Sequence, residues 1–314
     1  MHICKKNSIF AANLRIMIVI ADSGSTKTHW CLMTANGQSS DIVTDGINPF
    51  YQTPDAMRNS VVNQLLPKMA HLMWAGTITS VFFYGAGCTP EKAPLVQQVL
   101  ASVFKCPDVQ VNSDMVGAAR GLLQHNRGVA CILGTGSNSC LYDGEKIIKN
   151  VPSLGFILGD EGGGAVLGKR LVADLFKNQL GQDLMDAFVE QYHISQADLI
   201  EHVYRQPFPN RYLANLSRFC ADHLEDKRIY ELVYDHFTDF VVRNLEQYYQ
   251  DENNVEIEDT KSLPVGFIGG IAYYYQDILR EVLDDLGFTL STILLDPVEG
   301  LKRYHRKDVV PTQI

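Results

Sequence analysis

The sequence predicts an α/β fold built from two copies of one core, and two observations lead to this prediction. Residues 16–21 form an unbroken apolar run, and a Gly/Ser/Thr loop, a returning strand and the turn Asn36-Gly37 follow it. The same succession starts again at Gly128 and ends at the turn Asp143-Gly144. Unbroken apolar runs are typical of strands buried on both faces, and Asn-Gly and Asp-Gly pairs favour tight hairpins. The chain therefore contains a duplicated hairpin core.

Alternating helices and strands complete each copy. In the first copy we predict helices over residues 55–73 and 94–104, strands over 81–87 and 109–111, and a small-residue helix from Asp114. In the second copy, residues 164–249 carry apolar and aromatic side chains at helical spacing, and strands return at 263–268 and 291–295. We therefore predict an N-terminal domain of residues 17–117 and a C-terminal domain of residues 118–298 with a helical insertion.

The two ends of the chain lie outside these domains. The apolar patch within residues 1–16 is too short and too polar for a signal peptide. We therefore predict that these residues are a disordered extension without targeting function. Residues 299–314 are predicted to pack back on the N-terminal domain. The aromatic helices after Gly164 leave two interpretations open, a homodimer contact or simple internal burial.

Composition excludes several classes of partner. The formal net charge is −9, and the 27 basic residues are scattered, which argues against nucleic acid or an anionic membrane surface. No apolar run approaches the roughly 18 residues that a membrane helix needs. The seven cysteines include no CxxC pair and no zinc-type spacing, which favours reduced, buried thiols in a cytoplasmic protein.

Two loops have the chemistry of phosphate sites. Each follows an apolar strand, and each combines glycines with hydroxyl side chains, whose backbone N–H and O–H groups suit an anion. The candidate phosphate-binding residues are Gly24, Ser25, Thr26 and Lys27 in the first loop, and Gly134, Thr135 and Gly136 in the second. Asp22 lies where a hydrated Mg²⁺ would be held, since magnesium prefers few carboxylates and several waters. Two such loops imply a nucleotide held between two halves.

Further candidates surround these loops. Gly269 and Gly270 stand between a strand and a helix, where bare backbone would admit an adenosine ring. Asp114 opens a helix after the strand VQV, and we predict that it is a general base, although a simple helix cap is the alternative. Of the adjacent acids Asp160 and Glu161, we predict that Asp160 points inward. Asn48, in GINPF, offers a loop amide.

These motifs together resemble the actin, hexokinase and heat-shock chaperone superfamily. Within it, TDGINPF, SDMVGAA, GTGSNS, LGFILGDEGGG and GFIGGIA are similar to the BadF/BadG/BcrA/BcrD ATPase family, on its N-acetylglucosamine kinase branch, and occur in the family's order from Met17 onward. The resemblance implies two ribonuclease-H-like domains of the actin-like ATPase fold, which flank a nucleotide cleft.

The same resemblance implies the activity and the roles of single residues. It implies ATP and Mg²⁺ as cosubstrates and phosphorylation of the 6-hydroxyl of an amino sugar, most simply N-acetylglucosamine. Asp114 would be the base, and the sugar would contact Asn48, Ser137, Gly155 and Asp160. Leu154 stands where the animal enzyme has tryptophan, which leaves the acceptor sugar open.

Two other functions remain open at this point. One is an ATP-driven activator of a CoA-ester reductase or dehydratase, whose branch holds an iron–sulfur cluster in a dimer; nothing in the sequence resembles its cluster-ligand segments. The other is a non-catalytic sugar- or nucleotide-binding regulator. It would be expected to lack Asp114 or to carry a DNA-binding module, and neither feature is seen.

Overall fold

The computed structural model describes residues 16–24, 26–71, 77–249 and 263–309, and the chain divides into two compact units. The first unit comprises Met1–Gln124 together with Pro297–Ile314, and the second comprises His125–Asp296. The predicted extension lies outside the described residues except for Ile16, which begins the first strand.

A five-stranded mixed sheet forms the centre of the first unit. Its strands are β1 (Ile16–Ser23), β2 (Lys27–Thr34), β3 (Ser39–Asp45), β4 (Thr77–Gly85) and β5 (Asp108–Ser113), in the order β3-β2-β1-β4-β5. β1, β2 and β3 are antiparallel neighbours, whereas β1, β4 and β5 run parallel. The parallel strands therefore end at one common edge.

Both faces of this sheet are buried by helices, and alternate residues of β1 point to the two opposite faces. Val19 and Ala21 pack with Trp30 beneath helices of residues 54–71 and 93–104. The helices are α1 (Pro54–Ser60), a π-helical turn (Val61–Leu65), α2 (Leu66–His71), α3 (Ala93–Phe104), α4 (Asp114–Leu123), α5 (Val298–Tyr304) and a 3-10 turn (His305–Val309).

The opposite face carries α4 and the C-terminal helix α5. Ile18 and Tyr84 form a core there with Val298 and Leu301. Gly117 of α4 lies so close to β4 that a Cβ on it would be 2.8 Å from Tyr84 Cβ. The small residues of α4 thus let this helix approach the sheet directly.

The second unit contains another five-stranded mixed sheet. Its strands are β6 (Gly128–Leu133), β7 (Ser137–Tyr142), β8 (Ile147–Val151), β9 (Val265–Ile268) and β10 (Leu290–Leu294), in the order β10-β9-β6-β7-β8. β6 pairs antiparallel with β7 and parallel with β9. This repeats the arrangement of β1 between β2 and β4 and confirms the predicted fold of two ribonuclease-H-like halves.

Helices cover the second sheet and form the insertion between β8 and β9. They are Gly155–Leu158, Gly164–Phe176, Gln182–Tyr192, Gln196–Tyr204, Pro209–Leu216, Arg218–Asp222, Lys227–Phe240, Gly270–Tyr274 and Gln276–Asp285. The apolar and aromatic side chains predicted at helical spacing are largely internal in helix Lys227–Phe240, since Val233, Phe237 and Phe240 are fully buried. Within the described ranges, no helix is both long and apolar enough to cross a bilayer.

Candidate functional site

The β1–β2 hairpin of the first unit presents the first predicted phosphate loop. The Gly24 N–H donates to the Lys27 carbonyl at 3.0 Å and closes the turn. Gly24, Thr26 and Lys27 are exposed, whereas Asp22, near the end of β1, is half-buried. Ser25 lies outside the described residues. The tip of the hairpin therefore offers its backbone and its Lys27 ammonium to solvent.

The loop after β3 fixes the side chain of Asn48. Asn48 Oδ1 accepts a hydrogen bond from the Phe50 N–H at 2.9 Å, which orients the amide group. Gly87, at φ +79°, lies directly against this oxygen, because a Cβ there would be 2.5 Å from Asn48 Oδ1. The amide nitrogen is thereby left as the donor that can bind a ligand.

Asp114 follows the edge where the three parallel strands end. Ser23 is in register with Gly85, and Gly85 with Ser113, so Asp114 comes directly after this row of residues. Ser113 caps helix α4, since its Oγ accepts from the Val116 N–H at 3.3 Å. Asp114 is therefore not the N-cap, which removes the capping alternative.

The surroundings of Asp114 make its carboxylate a stronger base. Burial raises the pKa of Asp114 above its ordinary value, although the Met115 N–H, 2.9 Å from Asp114 Oδ1, acts in the opposite direction. Burial also raises the pKa of the neighbouring Cys88 thiol to about 12, and the Asp114 charge contributes to this shift. Cys88 therefore stays protonated and contributes no competing base.

The β6–β7 hairpin of the second unit presents the second phosphate loop. The Gly134 N–H donates to the Gly136 carbonyl at 2.9 Å. The carbonyls of Gly134 and Thr135 accept from the N–H groups of Gly164 and Ala165 at 2.8 and 2.9 Å. Those two residues begin helix Gly164–Phe176, so the helix holds the hairpin in place through its first N–H groups.

Asp160 packs directly on this hairpin. Its carboxylate accepts backbone hydrogen bonds from Ser137 and Gly155, and a Cβ on Gly136 would lie 2.5 Å from Asp160 Oδ2. Burial raises the pKa of Asp160, while the two N–H groups and Lys169 lower it. The structure thus brings together three of the predicted sugar contacts, namely Ser137, Gly155 and Asp160.

Glu161, which follows Asp160 in the chain, points away from the hairpin-bound position of Asp160. Glu161 forms an ion pair with Arg243 at 3.3 Å between Glu161 Oε1 and Arg243 Nη1. Asp160, in contrast, adopts φ +56°, and the left-handed backbone there turns its side chain toward the hairpin. Leu154, also left-handed at φ +62°, is 65% exposed and precedes Gly155.

Gly269 and Gly270, the predicted adenosine site, lie next to the second hairpin. Gly269 adopts φ +118°, and a Cβ on it would lie 2.2 Å from the Leu133 carbonyl oxygen and 3.1 Å from the Gly134 nitrogen. Gly270 begins helix Gly270–Tyr274. Gly163 packs on Gly136 just as closely, with 2.7 Å between its virtual Cβ and the Gly136 carbonyl carbon. Three motifs that are distant in sequence therefore converge in the second unit.

Sequence reasoning missed several residues that support these sites. Gly87, beneath Asn48, carries no recognisable pattern. Ser23 and Thr28 belong to the first phosphate loop, but their burial as a supporting pair was not predicted. His236 is buried, and its ring lies against the backbone of Gly162 and Gly163. Burial lowers the pKa of His236 to about 3, so its ring is neutral. In the sequence it is one polar residue within an apolar helical stripe.

Asp22, half-buried near the end of β1, is the predicted ligand of a magnesium ion that would be bound mainly by water. No group of three or more His, Cys, Asp or Glu side chains that could hold a metal occurs in residues 16–24, 26–71, 77–249 and 263–309. Magnesium needs no such cage, because it keeps several waters and takes one or two carboxylates. Asp22 remains the predicted ligand.

A repeated α/β core with a glycine-hydroxyl hairpin in each half defines the class of actin-like ATPase-fold proteins that includes the sugar kinases. A ROK-family glucokinase from Streptomyces griseus, solved with glucose and AMPPNP, shares this fold at 12% identity and a TM-score of 0.56, over 92% of this chain and 97% of that one. A candidate N-acetylglucosamine kinase from Chromobacterium violaceum shares the fold at 16% identity and a TM-score of 0.72, over 93% of this chain and 99% of that one.

The family follows from a more similar structure. A candidate N-acetylglucosamine kinase from Porphyromonas gingivalis is 45% identical, with a TM-score of 0.86 over 94% of this chain and 100% of that one. The chain belongs to the BadF/BadG/BcrA/BcrD ATPase family, on its N-acetylglucosamine kinase-like branch, which confirms the resemblance found in the sequence. No family model and no curated protein matches the chain.

Proposed function

We propose that the protein is an ATP-dependent sugar kinase that phosphorylates the 6-hydroxyl of an amino sugar, with N-acetylglucosamine as the first candidate. The observation that carries this proposal is the state of Asp114. Its carboxylate has a raised pKa, the N-cap of helix α4 is Ser113 and not Asp114, and Asp114 follows the row where three parallel strands end. Membership of the family supports the same conclusion.

The nucleotide would be bound by the glycine loops. The first hairpin offers Thr26 and Lys27 to phosphate oxygens, and the second offers Thr135 and Gly136. Gly269 and Gly270 leave bare backbone for the adenosine. The Streptomyces griseus glucokinase, which has the same fold, was solved with AMPPNP, and this supports a nucleotide as ligand.

The reaction would be an in-line phosphoryl transfer. Asp114 accepts the proton of the 6-hydroxyl while the oxygen forms a bond to the γ-phosphorus, and the bond from that phosphorus to the β–γ bridging oxygen breaks. ADP leaves, and the proton passes from Asp114 to solvent. A bound Mg²⁺, held through Asp22 and water, would neutralise phosphate charge.

The acceptor sugar would be held by groups of opposite hydrogen-bonding character. Asn48 supplies an amide donor, because its oxygen is already used by the Phe50 N–H. Asp160 supplies a carboxylate acceptor that two backbone N–H groups hold in position. Free sugar hydroxyls need both kinds of partner.

We further propose that the enzyme acts in the cytoplasm, which agrees with the six described cysteines being free, buried thiols.

A coupled ADP-release assay with several sugars tests this function. The set would contain N-acetylglucosamine, N-acetylmannosamine, glucosamine, glucose and a muramic derivative, each with ATP and Mg²⁺. We expect sugar-stimulated ADP release that is greatest with N-acetylglucosamine and is lost in Asp114→Asn. Absence of stimulation by every sugar, or an undiminished Asp114→Asn enzyme, would refute the proposal.

A further inference from the structure

Two buried hydroxyl groups lie at the base of the first hairpin. Ser23, the last residue of β1, faces Thr28 of β2 in register, and the two side-chain oxygens are 2.7 Å apart. Both residues have zero exposure. Neither side chain can therefore contact a ligand, although both adjoin the loop that is proposed to bind phosphate.

These hydroxyls replace the missing strand partner of Ile47. Strand β3 ends at Asp45, so the ladder gives Ile47 no backbone partner. The Ile47 N–H donates instead to Ser23 Oγ at 2.9 Å and, more weakly, to Thr28 Oγ1 at 3.2 Å. Ser23 Oγ can donate in return to the Ile47 carbonyl at 3.0 Å.

The Ser23 and Thr28 hydroxyls depend on each other, because they share their hydrogen-bond partners. Two hydroxyl protons serve three acceptors: the other hydroxyl, the Ile47 carbonyl and the Asp45 carbonyl, which is 3.1 Å from Thr28 Oγ1. Removal of either hydroxyl therefore leaves a buried polar group with a poorer partner, and such loss is unfavourable. A further bond joins the hairpin tip to the same loop, since the Gly46 N–H donates to the Thr26 carbonyl at 3.0 Å.

The junction leads directly to the proposed acceptor contact. Asn48 follows Ile47, and its N–H donates to Gln52 Oε1 at 2.9 Å. Gln52 Nε2 donates to the Gly46 carbonyl at 3.1 Å, so one side chain bridges the residues on either side of Ile47. These two bonds hold residues 46–48 in one segment, which links the hairpin to Asn48.

We propose that Ser23 and Thr28 form a positioning pair that couples the nucleotide hairpin to the Asn48 amide, so that nucleotide and acceptor sugar bind cooperatively. This inference rests on the proposed kinase function. The pair touches no ligand and takes no part in proton transfer. Its effect is to transmit the position of Gly24, Thr26 and Lys27 to the loop that would hold the sugar.

A coupling measurement on the full chain tests this inference. The dissociation constant of N-acetylglucosamine is measured by calorimetry without and with saturating AMPPNP and Mg²⁺, and the ratio of the two values is the coupling factor. Coupling factors of about 5 to 150 are typical of linked sites. We expect Thr28→Val to bring the factor close to one, whereas Thr28→Ser, which keeps the hydroxyl, retains it.

Thr34 provides a matched control. It is a buried threonine on the same strand, 5% exposed, and its hydroxyl bonds the Asn36 side chain and the Gln38 carbonyl in the turn at the other end of β2. Thr34→Val therefore removes an equivalent buried hydroxyl without touching residues 46–48. It is expected to keep the wild-type coupling factor.

The outcomes separate this inference from the proposed function. A wild-type factor near one, a Thr28→Val enzyme with the wild-type factor, or equal loss in Thr34→Val would each overturn the inference. Failure of the wild-type protein to release ADP with any sugar would instead refute the kinase function. Thermal unfolding shows which variants fold, and Ser23→Ala gives the same comparison at this junction if Thr28→Val does not fold.

Discussion

The carboxylate of Asp160 fills the space that a side chain at Gly136 would need. A Cβ on Gly136 would lie 2.5 Å from Asp160 Oδ2, so the proposed sugar-binding acid rests directly on the second phosphate loop. The same carboxylate accepts the Ser137 N–H, the next residue of the hairpin. The geometry of the hairpin and the position of Asp160 therefore depend on each other.

Substitution of Gly136 is expected to displace Asp160. Overpacking of this kind typically costs about 1–3 kcal/mol, and Gly136→Ala should also raise the KM for the sugar. Gly134→Ala is the matched control, because no atom lies within 4 Å of its virtual Cβ. Its cost in stability should stay within about 0.5 kcal/mol. Urea unfolding of both variants measures the difference in stability, and sugar kinetics of Gly136→Ala measure the KM; equal losses of stability in the two variants would contradict the predicted clash.

Gly269 should tolerate no side chain. In Gly269→Ala the new Cβ would lie 2.2 Å from the Leu133 carbonyl oxygen, a backbone atom that cannot rotate away. Gly287 also has a positive φ, +77°, but has open space around it. Gly287→Ala should therefore lose only the roughly 1–2 kcal/mol of left-handed strain, and Gly269→Ala distinctly more. Thermal and urea unfolding compare the two, and similar losses would refute the predicted clash.

Asp114→Asn is expected to fold and to lose turnover. Because Ser113 caps helix α4, the substitution leaves the cap intact, while kcat should fall by roughly 10²- to 10⁴-fold through loss of the base. Ser113→Ala should show the opposite pattern, a stability loss of about 1 kcal/mol with kcat largely kept. Steady-state kinetics and urea unfolding of the two variants provide the measurement. A catalytically normal Asp114→Asn would exclude the base role.

The raised pKa of Asp114 also predicts a dependence of stability on pH. The folded state binds the Asp114 proton more tightly than the unfolded state, so this stabilisation is complete below the ordinary value of 3.8 and is lost as pH rises through the raised pKa. Asp114→Asn cannot ionise at this position. It should therefore be more stable than the wild type at pH 7.5 but show little gain near pH 3.5. An equal gain in stability at pH 7.5 and pH 3.5 would contradict the raised pKa of Asp114.

His236 should weaken the fold in acid. Its pKa is about 3 in the folded state and 6.5 ordinarily, so the unfolded state binds the proton first and stability falls as pH drops below 6.5. The slope from one histidine is at most about 1.4 kcal/mol per pH unit. His236→Leu should flatten the fall of the unfolding free energy between pH 6.5 and 4, although His305, with a pKa of about 4, retains part of it. An unchanged slope would exclude this role.

Local patterns were sufficient for the architecture. Unbroken apolar runs, Asn-Gly and Asp-Gly turns and the two glycine-hydroxyl loops predicted the duplicated α/β core, because strand burial and hairpin formation depend on residues adjacent in sequence. The order of the motifs predicted the family. The position of Asp114 at the start of a helix was also readable, since the strand VQV and the small residues after it are local signals.

Other features were decided only by tertiary contacts. The inward direction of Asp160 depends on its left-handed backbone and on N–H groups of Ser137 and Gly155. The Ser23–Thr28 junction exists because β3 ends before Ile47, which leaves that backbone without a ladder partner. The contacts of Ser137 with Asp160 and of Ser23 with Ile47 join separate elements, and they are set by the packing of those elements. The sequence by itself therefore determined which strands and loops form, and the tertiary structure decided which side chains meet.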